Sequence, residues 1–575
     1  MDRGGHRNHP NGRTSIAVFP AASYLKHCTL LDALRDIFFV TFRPCLREEI
    51  GDYRFALLWG AADDVVADAQ RLGVRCLALA RGEREAATSC PGKVAFADVP
   101  GIDEAIRGQC FVESESLKIT SITTRPGEVF ATRSGLPIWI RHDRGSASVD
   151  FIAVEPRLLN SGELLREHLC PGSVSHILPL FHFVREAAGE GNWDSGPRQA
   201  CFIIDDPSLY RPSYGCLHFD QLATHATEHG YHVSIATIPL DTWWVHQTVR
   251  SLLRDNAKQM SLVIHGNNHT YLEMWRNGSN GHYLSELAQA LRRVSRFEKQ
   301  HGLRFSRVFE APHGVIACEV FGPLVSLGYE GTLYTPSQFI NRNRNNGWPA
   351  SFGSSPVDVS PQGLCVIPRL IMSRDWRADV SIAAFLRQPI VLVGHHQDCL
   401  TGLELLSEFA ARVNGLGNVR WSSLSEMARS RFTSRREGSS WVVRLGGRAV
   451  DCHVPSGVTQ IVIERPWILG EAEPMKMYGI TETAEPLEQM AGAVSEPLPW
   501  QLEAGGKLRI ESPPKILVNP DSVTHPPKRM WPVIRKVLVE ARDRSHPFLP
   551  EVVRRLGSTR SMLGMSHQRL AARTK

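Results

Sequence analysis

The sequence predicts an α/β fold in which a parallel sheet or barrel carries an outer layer of helices. Two observations predict it. Short β-rich apolar runs at 200–204, 261–264 and 389–393 hold no charged residue, the pattern of strands buried on both faces. Strand-like and helix-like segments then alternate from 198 to about 431, which is how parallel strands joined by helical crossovers read. A third observation bounds this region. After Gly438 the apolar residues recur with a period of two, so 438–512 reads as a small C-terminal β-sandwich module.

The 575 residues exceed what one core supports, and three or four domains are expected from the length. Residues 1–30 open with a polar, basic stretch and read as a disordered arm. The segment 31–190 reads as an α/β domain of its own. It has a strand at 53–59, a helix at 61–72 and a strand at 74–80. Short strands follow at 117–122, 128–131, 138–140 and 149–154, then a largely helical stretch at 159–188. It carries no GxGxxG, P-loop or nucleophile elbow. Its outline is similar to flavodoxin-like, amidotransferase-like domains without their nucleophile, which implies a structural or substrate-positioning role. Turn-formers at 191–197 make a linker.

Within 198–433 the expected elements are helices at 219–229, 284–301, 320–327 and 403–413, with strands at 232–238 and 331–334. The sandwich strands are 441–445, 449–454 and 459–464. From 513 to 575 the chain is a basic, Pro-punctuated extension with one helix at 531–542.

Composition narrows the function classes. Hydrophobic content of 42% and charged content of 22% are ordinary for a globular protein. No run approaches the roughly 18 apolar residues of a membrane span. Pro20, Lys26 and His27 interrupt 16–30, which makes a poor signal-peptide core. A cytoplasmic protein is expected. The 12 cysteines form no CxxC pair, so a thiolate zinc site lacks its spacing. Net charge is +6, and 513–575 holds 13 Lys and Arg against 4 Asp and Glu. Such a tail suits an anionic surface or a solvated helix. The sequence leaves the oligomeric state open.

Each apolar run ends in a group that binds metals or moves protons. The first runs into Asp205 and Asp206, the second into His265 and His269, and the third, through Gly394, into His395 and His396. Strand ends of a parallel barrel share one rim, so these groups are expected to converge. His265 and His269, four apart, are expected on one face of a helical turn, reaching one cation at about 2.1 Å. A carboxylate from another strand end would complete an open His₂-carboxylate site. Asp205 and Asp206 are adjacent, so one ligates while the other takes a proton from water. Trp243 and Trp244 follow a strand end and suit stacking on a sugar face.

In that order, FIIDDPS, HGNNH, APHG and VLVGHHQD resemble the polysaccharide deacetylases of the NodB-homology, carbohydrate esterase family 4 superfamily. The resemblance implies an incomplete (β/α) barrel. It implies Asp205 as general base and Asp206, His265 and His269 as ligands of one divalent ion, zinc foremost, with manganese, cobalt or nickel as alternatives. It implies His395 or His396 as general acid toward the leaving amine. The chain departs from the family's pattern in two places. Pro207 follows the aspartates where the family has Gly. Glu310 and His313 hold the places of an Arg and an aromatic residue in the third motif. Arg369 or Arg374 is the candidate replacement for that Arg, and Asp375 the candidate for tuning the acid histidine. Pro312, His313, Arg369 and Trp243 are the candidate substrate-binding residues.

The implied function is a metal-dependent hydrolase that deacetylates an N-acylated sugar or oligosaccharide. Two alternatives stand beside it. One is a metal-independent carbohydrate-active enzyme using Glu310 with Asp205; the other is a non-catalytic binding or scaffold protein.

Overall fold

The computed structural model describes residues 13–545, except 82–83, 87–90, 144–146, 276–278, 345, 374, 468–474, 481–488, 492–497 and 500–504. The chain divides into two compact units. The first comprises residues 1–198, 335–390 and 429–515; the second comprises 199–334, 391–428 and 516–575.

The first unit begins with strands β1 (Thr14–Phe19), β2 (Val40–Pro44), β3 (Phe55–Trp59) and β4 (Arg75–Leu79). These are followed by β5 (Gly92–Phe96), β6 (Cys110–Glu113), β7 (Glu128–Arg133), β8 (Leu136–His142) and β9 (Val149–Ile152). They form one sheet in the order β2-β1-β3-β4-β9-β8-β7-β5-β6. Pairing is parallel from β2 to β9 and antiparallel from β9 to β6. Helices α1 (Cys28–Ile37), α2 (Asp63–Arg71) and α3 (Leu178–Ala188) accompany it.

Two expectations fail in this unit. Residues 14–30 are not a loose arm: Ile16, Ala17 and Val18 are buried in β1, which pairs with both β2 and β3. The run Ile16–Phe19 is as long as the one at 261–264, but it follows a polar, basic stretch and is closed by Pro20, surroundings that read as an arm. The helix expected over 159–188 survives only as α3, with a 3-10 turn at Leu165–His168. Between them, at Val174 and Ser175, the buried Glu113 carboxylate accepts both backbone N–H groups at 2.7 and 2.8 Å and the Ser175 hydroxyl at 2.9 Å. A side chain takes the place of helical hydrogen bonds there.

The second unit is built on β10 (Arg198–Asp205), β11 (Val233–Thr237), β12 (Met260–His265), β13 (Phe305–Glu310), β14 (Gly331–Tyr334), β15 (Ile390–His395) and β16 (Val419–Trp421). The strand order is β14-β13-β12-β11-β10-β15, with β16 also on β10. The four pairings from β10 to β14 are parallel. Helices α4 (Phe219–Glu228), α5 (Gln247–Asp255), α6 (Asn280–His301), α7 (Phe321–Ser326) and α8 (Glu404–Asn414) supply the crossovers. Parallel neighbours need such crossovers, since a tight turn reverses direction. Every residue of β10 and β11 is buried, as the apolar run at 200–204 predicts for β10.

The first unit resumes with β17 (Phe432–Glu437), β18 (Ser440–Leu445), β19 (Ala449–His453), β20 (Gln460–Glu464), β21 (Met475–Ile480) and β22 (Lys507–Glu511). β17-β18-β20 lie in one sheet and β19-β22-β21 in another. Inward residues of both, among them Trp441, Val443, Ile461, Val450, Leu508 and Ile510, share one apolar cluster. Last, in the second unit, comes α9 (Trp531–Ser545). Among the described residues, no helix is long and apolar enough to cross a membrane.

Candidate metal centre

Asp205 ends β10, His265 ends β12 and Glu310 ends β13, so strand termini deliver all three. β12 and β13 pair with His265 directly beside Glu310. Ligand atoms of Asp206, His265 and His269 lie within 4.8 Å of one another, and those of Asp205, His265 and Glu310 form a second such group. His265 belongs to both. Its Nε2 lies 3.4 Å from Asp206 Oδ1, and its Nδ1 lies 3.6 Å from Glu310 Oε2. A carboxylate facing Nδ1 favours the proton there and leaves the Nε2 lone pair toward Asp206, the tautomer of a metal-ligating histidine.

His269 reaches Asp206 Oδ1 through Nε2 at 3.0 Å. The spacing of four suggested a helical turn, and the structure shows a loop instead. Gly266 and His269 are left-handed, at φ +63° and +53°. The buried Glu273 carboxylate accepts the backbone N–H groups of Asn267 and Asn268 at 2.9 and 2.8 Å. From α6, Arg293 donates to the Asn267 and Asn268 side-chain oxygens at 2.6 and 2.9 Å. A Cβ at Gly266 would stand 2.5 Å from Pro312 Cγ and 2.6 Å from Glu273 Oε2. Only glycine allows this close approach.

Asp206, His269 and His313 all hold positive φ, +76°, +53° and +62°. Non-glycine residues there carry strain that the surroundings must hold, a common mark of working sites. Burial alone would raise the Asp206 carboxyl. The imidazoles of His269 and His265 more than offset it and hold it well below the usual carboxylate range.

The two candidate acids separate. His395 is exposed, and its backbone N–H donates to Asp398 at 2.7 Å. His396 is buried, with Nε2 3.6 Å from Asp543 Oδ2. Tyr214 donates its hydroxyl to the same Asp543 oxygen at 2.8 Å, and its ring meets His396 edge-on. Gly215, at φ +54°, gives the His396 ring its room, because a Cβ would overlap it.

Asp543 arrives on α9, in the stretch whose composition suits a solvated helix or an anionic surface. The inner face of α9 enters the site. Arg535 donates to His269 Nδ1 at 2.9 Å, Lys536 pairs with buried Asp241 at 2.5 Å, and Ser208 donates to Glu540 at 3.1 Å. Burial pushes the Asp241 carboxyl up to about 6 despite Lys536. The opposite holds for Asp543, where hydrogen bonds from His396 and Arg542 outweigh burial and lower it. The available signal was the acid pair Glu540 and Asp543, three apart on one face of a basic helix.

The candidate substrate residues scatter. His313 is exposed on the rim, its ring edge-on to His269 at 4.9 Å. Pro312 lies buried beneath Gly266. Trp243 is exposed and packs on Tyr210 at 4.9 Å, and the Lys536 ammonium stands over that Tyr210 ring. Arg369 is buried in the first unit, where its Nε donates to the Thr335 hydroxyl at 3.0 Å. Asp375 is there too, at the N-cap of helix Trp376–Phe385, and Arg374 lies outside the described residues.

Two imidazoles and a carboxylate at this spacing are a donor set that could hold a divalent cation, and the Asp205 carboxylate lies beside His265.

No protein-family model matches the sequence, and no curated protein matches it either. Among solved structures, the chain resembles a putative polysaccharide deacetylase from Mycobacterium smegmatis, 14% identical over 41% of this chain and 90% of that one, TM-score 0.30. It also resembles a family 4 carbohydrate esterase from Streptomyces lividans in complex with acetate, 16% identical over 40% and 93%, TM-score 0.24. A third is a peptidoglycan deacetylase from Bacillus subtilis, 12% identical over 41% and 93%, TM-score 0.23. The likeness is thus to polysaccharide deacetylases and family 4 esterases over two fifths of the chain.

Proposed function

We propose that the chain is a divalent-metal-dependent hydrolase that deacetylates an N-acylated sugar or oligosaccharide, on an incomplete (β/α) barrel in the second unit. The observation that carries this reading is the convergence of Asp206, His265 and His269 at ligand spacing with Asp205 beside them. In this reading Asp206, His265 and His269 hold the ion, zinc foremost. When bound, the ion supplies Lewis acidity that polarises a carbonyl and makes water more acidic. Asp205 takes the proton from the attacking water. His396 is the acid that protonates the leaving amine, because it is the buried member of the pair and Asp543 fixes its ring. Glu310 orients His265. Trp243 and Tyr210 offer stacking faces for a sugar ring.

The reading keeps the cytoplasmic address expected from the sequence, and with it oligosaccharide, lipid-linked or nucleotide-linked substrates. The metal-independent alternative fits less well. Glu310 is fully buried against His265 Nδ1, so it does not face Asp205 across an open gap in which a glycosidic bond would lie.

The test is metal analysis of purified protein beside His265→Ala/His269→Ala, followed by acetate release from N-acetylated oligosaccharides. Near-stoichiometric metal in the wild type only, with acetate release abolished by Asp205→Asn, supports the reading. Protein that stays metal-free after incubation with zinc, manganese or cobalt overturns it.

A further inference from the structure

Helix α9 is amphipathic in the wrong sense for a solvated helix. Its polar inner face, Arg535, Lys536, Glu540 and Asp543, is the face seated in the second unit. The apolar residues face outward: Trp531 is 59% exposed, Ile534 48%, Val537 62% and Leu538 60%, with Met530 before them at 71%. At 100° per residue these side chains share one arc of the helix, centred between Ile534 and Leu538. A contiguous exposed apolar row of this kind marks a binding face.

The row is flanked by cations. Lys528 and Arg529 lead into it and Arg542 borders it, all exposed. The stretch 513–575 carries 13 Lys and Arg against 4 Asp and Glu. Apolar residues including a Trp, bordered by positive charge on a helix lying along a surface, match the chemistry of an interfacial helix on anionic lipid.

We propose that the outward face of α9, Trp531, Ile534, Val537 and Leu538 with Lys528 and Arg529, docks the protein on an anionic lipid surface. The helix then has both faces assigned, the polar one to the protein and the apolar one to the acyl–headgroup boundary. Burying the row removes it from water, and the flanking cations meet lipid phosphates, so binding weakens as salt rises. The proposal stands independently of the hydrolase reading, because binding is read without turnover.

The experiment is co-sedimentation of the full chain with phosphatidylcholine vesicles, with and without one quarter phosphatidylglycerol, at low and high salt. The variants are Trp531→Ser/Ile534→Ser/Leu538→Ser, which changes exposed side chains only, and the charge reversal Lys528→Glu/Arg529→Glu, which leaves the apolar row intact. The wild type is expected to pellet with the anionic vesicles and at least tenfold less with neutral ones or in high salt. Each variant is expected to lose binding at least tenfold while keeping the wild-type thermal transition. Wild type left in the supernatant overturns the proposal, as does undiminished binding by both variants. Sedimentation velocity gives the remaining arm. If the wild type is dimeric, the triple variant monomeric and vesicle binding equal in both, the row is covered by a second copy and the lipid proposal fails.

Discussion

The two units bury carboxylates in different company. In the first, Asp150 is fully buried and accepts from Arg141 at 2.8 and 3.0 Å and from the Trp139 indole at 2.9 Å. Glu186 beside it accepts from Arg75 at 2.6 Å and from Arg141 at 2.7 Å, with His182 Nδ1 3.3 Å from the same oxygen as a third, titratable neighbour. In the second, Oδ1 of Asp206 faces two imidazoles, and Glu310 faces one of them. Guanidinium groups carry fixed charge and lock a carboxylate in place. Imidazoles can be neutral, so a carboxylate among them still has affinity to offer a cation. The difference separates carboxylates neutralised by fixed cations from carboxylates that could still hold one.

The largest expected effect lies in the second cluster. Asp205→Asn should lower kcat by about 10²–10⁴-fold, the usual worth of a general base, with metal content unchanged by plasma mass spectrometry. The mirror experiment is in the first cluster. Asp150→Ala leaves Arg141 without its bidentate partner and should cost about 3–5 kcal/mol in denaturant unfolding, without moving metal content.

A smaller effect tests whether Glu310 acts through His265. Glu310→Gln should weaken metal binding about 10–100-fold, read by competition with a chromogenic chelator. His269 offers the reverse case. Arg535 donates to its Nδ1, which places the ring proton on Nε2, toward Asp206. Ligation through Nε2 therefore requires Arg535 to turn aside and release Nδ1, and the guanidinium also repels a cation. Arg535→Ala should therefore tighten metal binding severalfold, and unchanged affinity would show that Arg535 turns aside freely.

The smallest effect is in pH. Burial would raise the Glu186 carboxyl, but His182 and Arg141 hold it well below its ordinary 4.5. Its stabilising contribution is complete above the unfolded-state value and is lost as pH falls through the folded one. Glu186→Gln should therefore flatten the decline in stability below about pH 4.5, measured by thermal melts across that range.

Much of the second unit was legible in the chain. β10, β12 and β15 fall on the three apolar runs, and α6 ends at His301 with left-handed Gly302 as its cap. β1 was not legible, because its four apolar residues acquire their meaning only from pairing with β2 and β3. Nor was the seat of α9: its length was readable, but which face turned inward was not, and apolar content pointed the wrong way.

By itself the sequence determined where strands end and which residues stand at those ends, because strand burial is a local apolar pattern and the next polar residue terminates it. It placed Asp205, Asp206 and His265 on the rim. Tertiary structure alone decided how His269 returns to Asp206, since that depends on the Glu273 carboxylate holding two backbone N–H groups and on Gly266 clearing Pro312. It alone brought Asp543 to His396 and to Tyr214, 329 residues before it. Contacts at such separation leave no periodic trace, because they are fixed by which surfaces pack and not by what neighbours what along the chain.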